Sequence, residues 1–488
     1  MRNKEQYIKD LSKKNRNLYL DGEKIDRLDE RQLPAIEVMG LTFEAAFDKE
    51  TRDLCTATSH LTGKTINRFC HIHQNTEDLH KKQDMTRMLC NKVGTCIQRC
   101  MGIDAANALY AVTYEADKVK PGETNYHENF KKWLKTFQEQ DLVASCAQTD
   151  MKGERLKRPG QQTDPDMYTR VVEKRSDGII VSGCKINISE ASISDEILVL
   201  PNRALMPDEK EYAIAFAIPS DHPEIKQVVS IHNNFKREYY KKRFRAGYTD
   251  SYIIFDKTFV PWERVFLCGE TMHGGISALL FALFHRHSYS GCKPAMLDYV
   301  IGLASLAAEI NGIPKAPHVR EMLAELIKVG ELGYAAGYTA SDLGKPEVYI
   351  PGQGFAPYGP GNYIPHSIYA NVGRFLTGEA VFREQEILCN IAGGLPATFP
   401  HEKDLLNPEI RPFLEKYLKR NPNMSVDDQI KFWMTFIDFT TSSSAGTSQY
   451  GSYHGGGSPI MEQIAITSQY DINKRKNMIR YLSGMSMD

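Results

Sequence analysis

Across residues 85–117, apolar side chains fall at helical spacing: Met88, Leu89, Val93, Cys96, Cys100, Ala106 and Leu109, with no proline among them. That pattern predicts long helices, and residues 1 to about 145 read mostly this way. The texture changes from about 146 to 270. There GIIVSGCKINIS, EILVLP, YAIAFAIP and YIIFDKTFVP are short, β-branched and aromatic, bounded by Gly, Pro, Asp and Asn. Such spacing predicts a compact β-barrel or sandwich. From about 271 to 488 helical spacing returns, over 299–326, 379–391 and 427–439. Gly/Pro-rich segments at 351–365 and 451–459 predict loops.

The order is therefore helices, a β-module, then helices. It predicts an α+β, mostly α chain of three domains: an N-terminal helical domain over 1–145, a middle β-domain over 146–270, and a C-terminal helical domain over 271–488. A chain of 488 residues is long enough for two to four domains. Apolar residues at 42% and charged residues at 25% fit an ordinary globular protein. A formal net charge of −1 leaves no basic excess to recruit nucleic acid. The first residues, MRNKEQYIKDLSKKNRNLYL, lack the apolar core of a secretory signal. The longest apolar run, at 276–284, is far short of the roughly 20 residues that span a bilayer. The expectation is a cytoplasmic protein with no membrane partner, whose ten cysteines are reduced.

Most of those cysteines are expected to be small buried hydrophobes. Cys96 and Cys100 stand apart, because on a helix residues i and i+4 share a face and both thiols would point one way. A second piece is HRHSYSGC, with His285 and Cys292 two helical turns apart, about 10 Å along a straight helix. Gly291 and Pro294 allow distortion there, and His287 competes for the ligand role. Three thiols and one imidazole favour zinc or an iron–sulfur cluster over magnesium or calcium, and spacing does not separate those two. Gly63-Lys64-Thr65 lacks the earlier glycine of a phosphate loop. His71, His73 and His80 lie in a charged stretch and read as solvated or capping residues. Neither a dinucleotide fingerprint nor a nucleophile elbow is present.

At GKTINRF (63–69), QRCMGIDAANA (98–108), HRHSYSGCK (285–293), IAGGL (391–395) and HGGGSP (454–459) the chain resembles the 4-hydroxybutyryl-CoA dehydratase/vinylacetyl-CoA Δ-isomerase family, of the 4-hydroxyphenylacetate 3-hydroxylase superfamily. The resemblance runs over nearly the whole chain. It implies an acyl-CoA dehydrogenase-like fold with a middle β-barrel, FAD, a 4Fe–4S cluster and a homotetramer with flavin near a subunit interface. The family's cluster ligands fall on Cys96, Cys100, His285 and Cys292. Its flavin contacts fall on Arg87, Thr149, Asp150, Lys152, Arg155, Lys185 and Ser189. The flavin loop here is TDMKGER, where the family has TDPKGDR, and Asn187 stands where the family has histidine. His285, Tyr289, Asp250 and Lys293 take the catalytic positions. Asp250 shortens a family acid, and Gly451 stands where the family keeps a catalytic glutamate.

The implied reaction removes water from a 4-hydroxyacyl thioester whose β hydrogen is not acidic. The resemblance implies a radical route in which flavin exchanges one electron and an iron acts as Lewis acid on the hydroxyl. His285 would serve as ligand and base, Tyr289 as a proton or hydrogen-bond donor, and Lys293 as a stabiliser of charge. Two other readings stand beside it: a related dehydratase acting on another hydroxyacyl substrate, and a two-component flavin monooxygenase.

Overall fold

A computed structural model of the chain describes residues 1–119, 121–242, 246–350 and 353–486. Residues 351 and 352, in the first predicted loop, lie outside these. The helix–sheet–helix order of the chain is as expected, but three details differ from the sequence reading.

The first concerns the sheets. Two open sheets stand where a barrel was expected. One has six strands, in the spatial order Glu23–Ile25, Leu18–Leu20, Ile225–Asn233, Gly247–Pro261, Gly178–Ser189, Arg170–Lys174. The other has four: Val265–Cys268, Ile214–Pro219, Glu196–Val199, Ala144–Ala147. Neither sheet closes on itself among the described residues. The outer strands of the larger sheet carry Glu23, Lys24, Glu173 and Lys174 on exposed positions, and charge on an edge opposes further pairing. Two of its strands come from the N-terminal region, Leu18–Leu20 pairing in parallel with Ile225–Asn233. No local pattern announces a partner two hundred residues away.

The second concerns residues 85–117, which form two helices rather than one. Thr76–Val93 ends on Gly94, in the left-handed conformation at φ 68°, and Cys100–Val119 begins six residues later. Gly94 adopts that turn without a Cβ penalty, and Gln98 takes a second positive φ of 53°. Cys96 therefore lies in a loop, and Cys100 is the first residue of a helix. The two thiols are brought together by a turn, not by helical periodicity.

The third concerns the C-terminal region. One helix, Thr271–Ile310, runs through Pro294 and carries the apolar run at 276–284. It is buried on all sides except near its ends, packing against Thr76–Val93, Cys100–Val119 and Pro317–Asp342. Gly354–Pro357 in the first predicted loop forms a strand paired with Glu347–Ile350. Residues 451–454 in the second belong to the Ser443–His454 helix, leaving Gly455 to Ser458 as the loop. No helix among the described residues is long and apolar enough to cross a membrane.

Candidate active site

Three segments meet around the cysteines. The loop after Thr76–Val93 brings Cys96, the start of Cys100–Val119 brings Cys100, and the middle of Thr271–Ile310 brings His285, Tyr289 and Cys292. An apolar shell that includes Phe69, Met85, Leu89, Ile97, Ile103 and Ala295 surrounds them. The Cys100 Sγ lies 4.0 Å from the His285 Nδ1. The thiols of Cys292 and Cys90 both donate to the Cys96 sulfur.

The electrostatics follow from this crowding. Donation from Cys292 and Cys90 holds the Cys96 thiol well below its ordinary pKa. Its neighbours move the other way. Burial and the Asp104 carboxylate push Cys100 up, and Cys96 together with burial pushes Cys292 up. One thiolate is stable here by itself, whereas three ionised sulfurs need a cation among them. Backbone N–H groups of Gln98 and Cys100 already favour negative sulfur, as expected at a helix start. The donor set of soft sulfurs and one imidazole, dry and short of positive charge, fits an iron–sulfur cluster.

His285 is oriented from behind. Its Nδ1 lies 3.0 Å from Asp104 Oδ2, and Asp104 is fully buried. Lys82, also fully buried, donates to Asp104 Oδ1 at 2.9 Å, and the Ser288 hydroxyl bridges both oxygens at 3.0 and 2.9 Å. Burial raises the Asp104 pKa, but the Lys82 ammonium and the His285 hydrogen bond hold it below the ordinary value. An ionised Asp104 takes the Nδ1 proton's hydrogen bond and leaves Nε2 as the basic ring nitrogen. Cys100, Asp104 and His285 offer ligand atoms within 4.8 Å of one another. Both Asp104 oxygens are already occupied, so it orients His285 instead of competing with it. His287 is no competitor: its Nε2 turns away to Ser341 at 2.7 Å.

Tyr289 stands beside His285, ring centroids 5.1 Å apart and nearly perpendicular. Its hydroxyl donates to the Gly451 carbonyl at 2.8 Å, and the Arg374 guanidinium lies 4.6 Å over its ring. Two of the three glycines after His454 press on this pair. A Cβ on Gly455 would collide with the Tyr289 hydroxyl, and one on Gly456 would come within 3.3 Å of the His285 Cδ2. At Gly451 an added Cβ meets no atom within 4 Å among the described residues.

Asp250 and Ser189 are brought together, cross-strand partners with the Ser189 hydroxyl donating at 2.7 Å. Burial pushes the Asp250 carboxyl up, against Ser189 and His232. Next to it stands Glu190, a residue not singled out in the sequence. It is buried, at φ 58°, and accepts from Thr249 Oγ1 at 3.0 Å. Burial, then the Asp250 charge, push its carboxyl well above the ordinary range, and Cys96 adds to this.

The flavin-loop residues form a separate group. Asp150 accepts from Lys185 at 2.9 Å and from the Thr169 amide and hydroxyl, both at 2.9 Å. The Ile186 amide donates to the Thr149 carbonyl at 2.8 Å. These contacts pin the base of the 149–155 loop. At its tip, Lys152 is pulled below its ordinary pKa by burial and by Arg155 and Arg203. His454 is lowered by burial and by the same Lys152 and Arg155. The loop thus concentrates positive charge near the glycine-rich segment. Two further predicted residues are held in ion pairs. Arg87 pairs with Asp298 at 3.1 Å and Glu331 at 2.9 Å, and Lys293 pairs with buried Glu384 at 2.8 Å. His71 and His73 are buried rather than solvated, His71 against Asp78 at 2.8 Å. Sequence reasoning also missed Cys90, Asp104 and Lys82; the last two are charges inside helices of largely apolar burial, the one signal that pointed to them.

Residues 3–267 match the N-terminal part of the 4-hydroxyphenylacetate 3-hydroxylase family and residues 277–484 its C-terminal part. The chain is 36% identical to the 4-hydroxybutyryl-CoA dehydratase/vinylacetyl-CoA Δ-isomerase of Clostridium aminobutyricum, over 99% of both chains. It is 26% identical to the oxygenase component of 4-hydroxyphenylacetate 3-monooxygenase of Thermus thermophilus, over 97% of this chain and 96% of that one. Among solved structures, an oxygen-tolerant archaeal 4-hydroxybutyryl-CoA dehydratase from N. maritimus superposes with a TM-score of 0.92 at 32% identity, covering 100% of this chain and 96% of that one. A glutaryl-coenzyme A dehydrogenase, at 14% identity and a TM-score of 0.50 over 90% of this chain and 94% of that one, shares the fold. With both halves matched and this identity sustained end to end, the chain belongs to the 4-hydroxyphenylacetate 3-hydroxylase family.

Proposed function

We propose that the chain is a dehydratase of 4-hydroxybutyryl-CoA or a close 4-hydroxyacyl-CoA, using FAD and a 4Fe–4S cluster, with vinylacetyl-CoA isomerisation as a second activity. The observation that carries this reading is the convergence of Cys96, Cys100, His285 and Cys292 in one dry pocket, in a chain 36% identical throughout to a dehydratase of that name. The relatives whose structures hold FAD support the flavin.

Cys96, Cys100 and Cys292 would hold three corners of the cluster and His285 the fourth. Bound there, the cluster supplies a Lewis-acidic iron for a substrate oxygen, and flavin supplies single-electron exchange. The chain's own groups do the remaining work. Asp104 fixes the His285 tautomer, so that Nε2 can bind iron or accept a proton. Tyr289, its ring against the imidazole, is held by Gly451 and Arg374 and would supply a proton from its hydroxyl. Asp250 and Glu190 form a second proton-holding pair. Burial raises both carboxyls, and the Asp250 charge raises Glu190 further, which favours the protonated form required of a group that donates. Lys152 and Arg155 would face the anionic part of FAD. The homotetramer and the cytoplasmic site belong to the same reading.

The test is anaerobic purification with iron, sulfide and flavin analysis, then turnover of 4-hydroxybutyryl-CoA to crotonyl-CoA. His285→Ala is expected to keep flavin and lose turnover. A protein with flavin but no iron that hydroxylates a phenol in air would replace this reading with the monooxygenase one. One zinc per chain and no colour would reject the cluster.

A further inference from the structure

A cavity of about 370 Å³ opens between the end of Thr76–Val93, the 234–242 stretch, and the helices Val426–Thr440 and Ser443–His454. Thr95, Tyr248, Met296 and Ser448 line it. Each lies one step from the site described above. Thr95 precedes Cys96, and its hydroxyl meets that of Tyr248. Tyr248 is two residues before Asp250, on the same strand face. Met296 is one helical turn past Cys292, and Ser448 is one turn before Gly451. From four elements, then, this wall of the cavity is built by near neighbours of the thiol site, and Tyr248 stands beside Cys96.

The opposite wall has another character. Lys92, Lys241 and Lys431 are exposed there, with Lys242 half-buried beside them. The one acid in the lining is Asp438, whose carboxylate is already taken by Arg237 at 2.7 Å and Lys242 at 3.2 Å. Among the described residues, neither Lys92 nor Lys241 has a carboxylate within ion-pair distance, and Lys431 has only Asp428 at 3.8 Å. Three exposed lysines without a strong anionic partner among the described residues thus line a cavity whose other wall adjoins the thiol site. A ligand suited to it is long, reactive at one end and polyanionic at the other.

We propose that this cavity admits the acyl thioester, acyl end inward, and that Lys92, Lys241 and Lys431 bind the phosphate groups of its coenzyme A nucleotide. The assignment rests on the acyl-CoA reading above and adds where the carrier is recognised. Ammonium groups there form charge-assisted hydrogen bonds with phosphate, and such contacts weaken with salt.

Titration calorimetry of the holoenzyme with coenzyme A, and separately with pantetheine, tests it without turnover. Lys92→Ala and Lys241→Ala are each expected to weaken coenzyme A binding roughly tenfold. Pantetheine, which lacks the phosphates, is expected to bind all three proteins alike, and the double variant is expected to lose most of the salt dependence. Both lysines are exposed, and a thermal melt checks that the variants fold as the wild type does. Coenzyme A affinity unchanged in the variants, or absent in the wild type, overturns the site. Equal losses for pantetheine overturn the phosphate assignment. Lysine-dependent coenzyme A binding in a protein that dehydrates no 4-hydroxyacyl-CoA would leave this site standing and reject the dehydratase reading.

Discussion

Replacing Asp104 by asparagine removes one charge and almost no volume. In the native protein that charge faces the Lys82 ammonium at 2.9 Å, both side chains fully buried. Removing one member of a buried pair strands the other, at a cost of about 3–5 kcal/mol. Here Lys82 keeps the Phe284 carbonyl at 3.1 Å, and an asparagine oxygen can still accept from it, so the loss falls at the lower end, about 3 kcal/mol. A second effect is separate. Asparagine no longer fixes the Nδ1 proton of His285, and loss of such a partner lowers metal affinity by about 10–100-fold. Urea unfolding of the iron-free protein reads the first effect, and iron retained against a chelator reads the second. The double variant Lys82→Met/Asp104→Asn distinguishes them. It removes the stranded charge and should regain most of the stability, while iron binding stays weak. A single variant within about 0.5 kcal/mol of wild type and with normal iron retention would refute both the buried pair and the orienting role.

Cys90 donates to Cys96 yet has no counterpart among the proposed ligands. Cys90→Ala is expected to retain iron, while alanine at Cys96, Cys100 or Cys292 abolishes it; elemental analysis of the four variants checks this. Glu190 gives a pH signature. Burial and Asp250 raise its folded pKa, so the native protein keeps a proton that the unfolded chain releases above about pH 4.3. The unfolded state then binds fewer protons, and stability falls as pH rises from there to the folded value. Glu190→Gln removes this contribution. Urea midpoints between about pH 5 and 8 should decline less steeply in the variant, and equal slopes would show that Glu190 does not carry the proton.

Residue chemistry was more legible in the sequence than residue placement. Soft donors at 96, 100, 285 and 292 stood out by type, and the structure does bring them together. Their route there was misread. Periodicity continues across residues 94–99 because Val93, Ile97 and Cys100 all enter one apolar cluster, and an apolar loop is indistinguishable from a helix by that measure. Strand texture at 178–189 and 214–219 was equally plain, but closure depends on which edges pair, and pairing is non-local. Leu18–Leu20 joins the sheet through a contact the local sequence does not encode. Asp104 and Lys82 escaped notice because each has its partner in another segment, a pairing that no local pattern announces.

The cysteine–histidine pocket is assembled from parts of the chain far apart in order of synthesis. Cys100 and His285 are separated by 185 residues, and every strand of both sheets except the two near the N-terminus is made in that interval. A ribosome releases the first two thiols long before the imidazole and last sulfur exist. On the cluster reading, iron insertion would be a late event in the life of each molecule, following the β-module and the long helix. A cluster seated there would act as a clasp across that span, restraining a large loop whose closure the polypeptide alone must otherwise sustain. Oxidative loss of iron would then slacken the join between the N-terminal helices and the Thr271–Ile310 helix, so that damage at the site would also expose the chain to proteases.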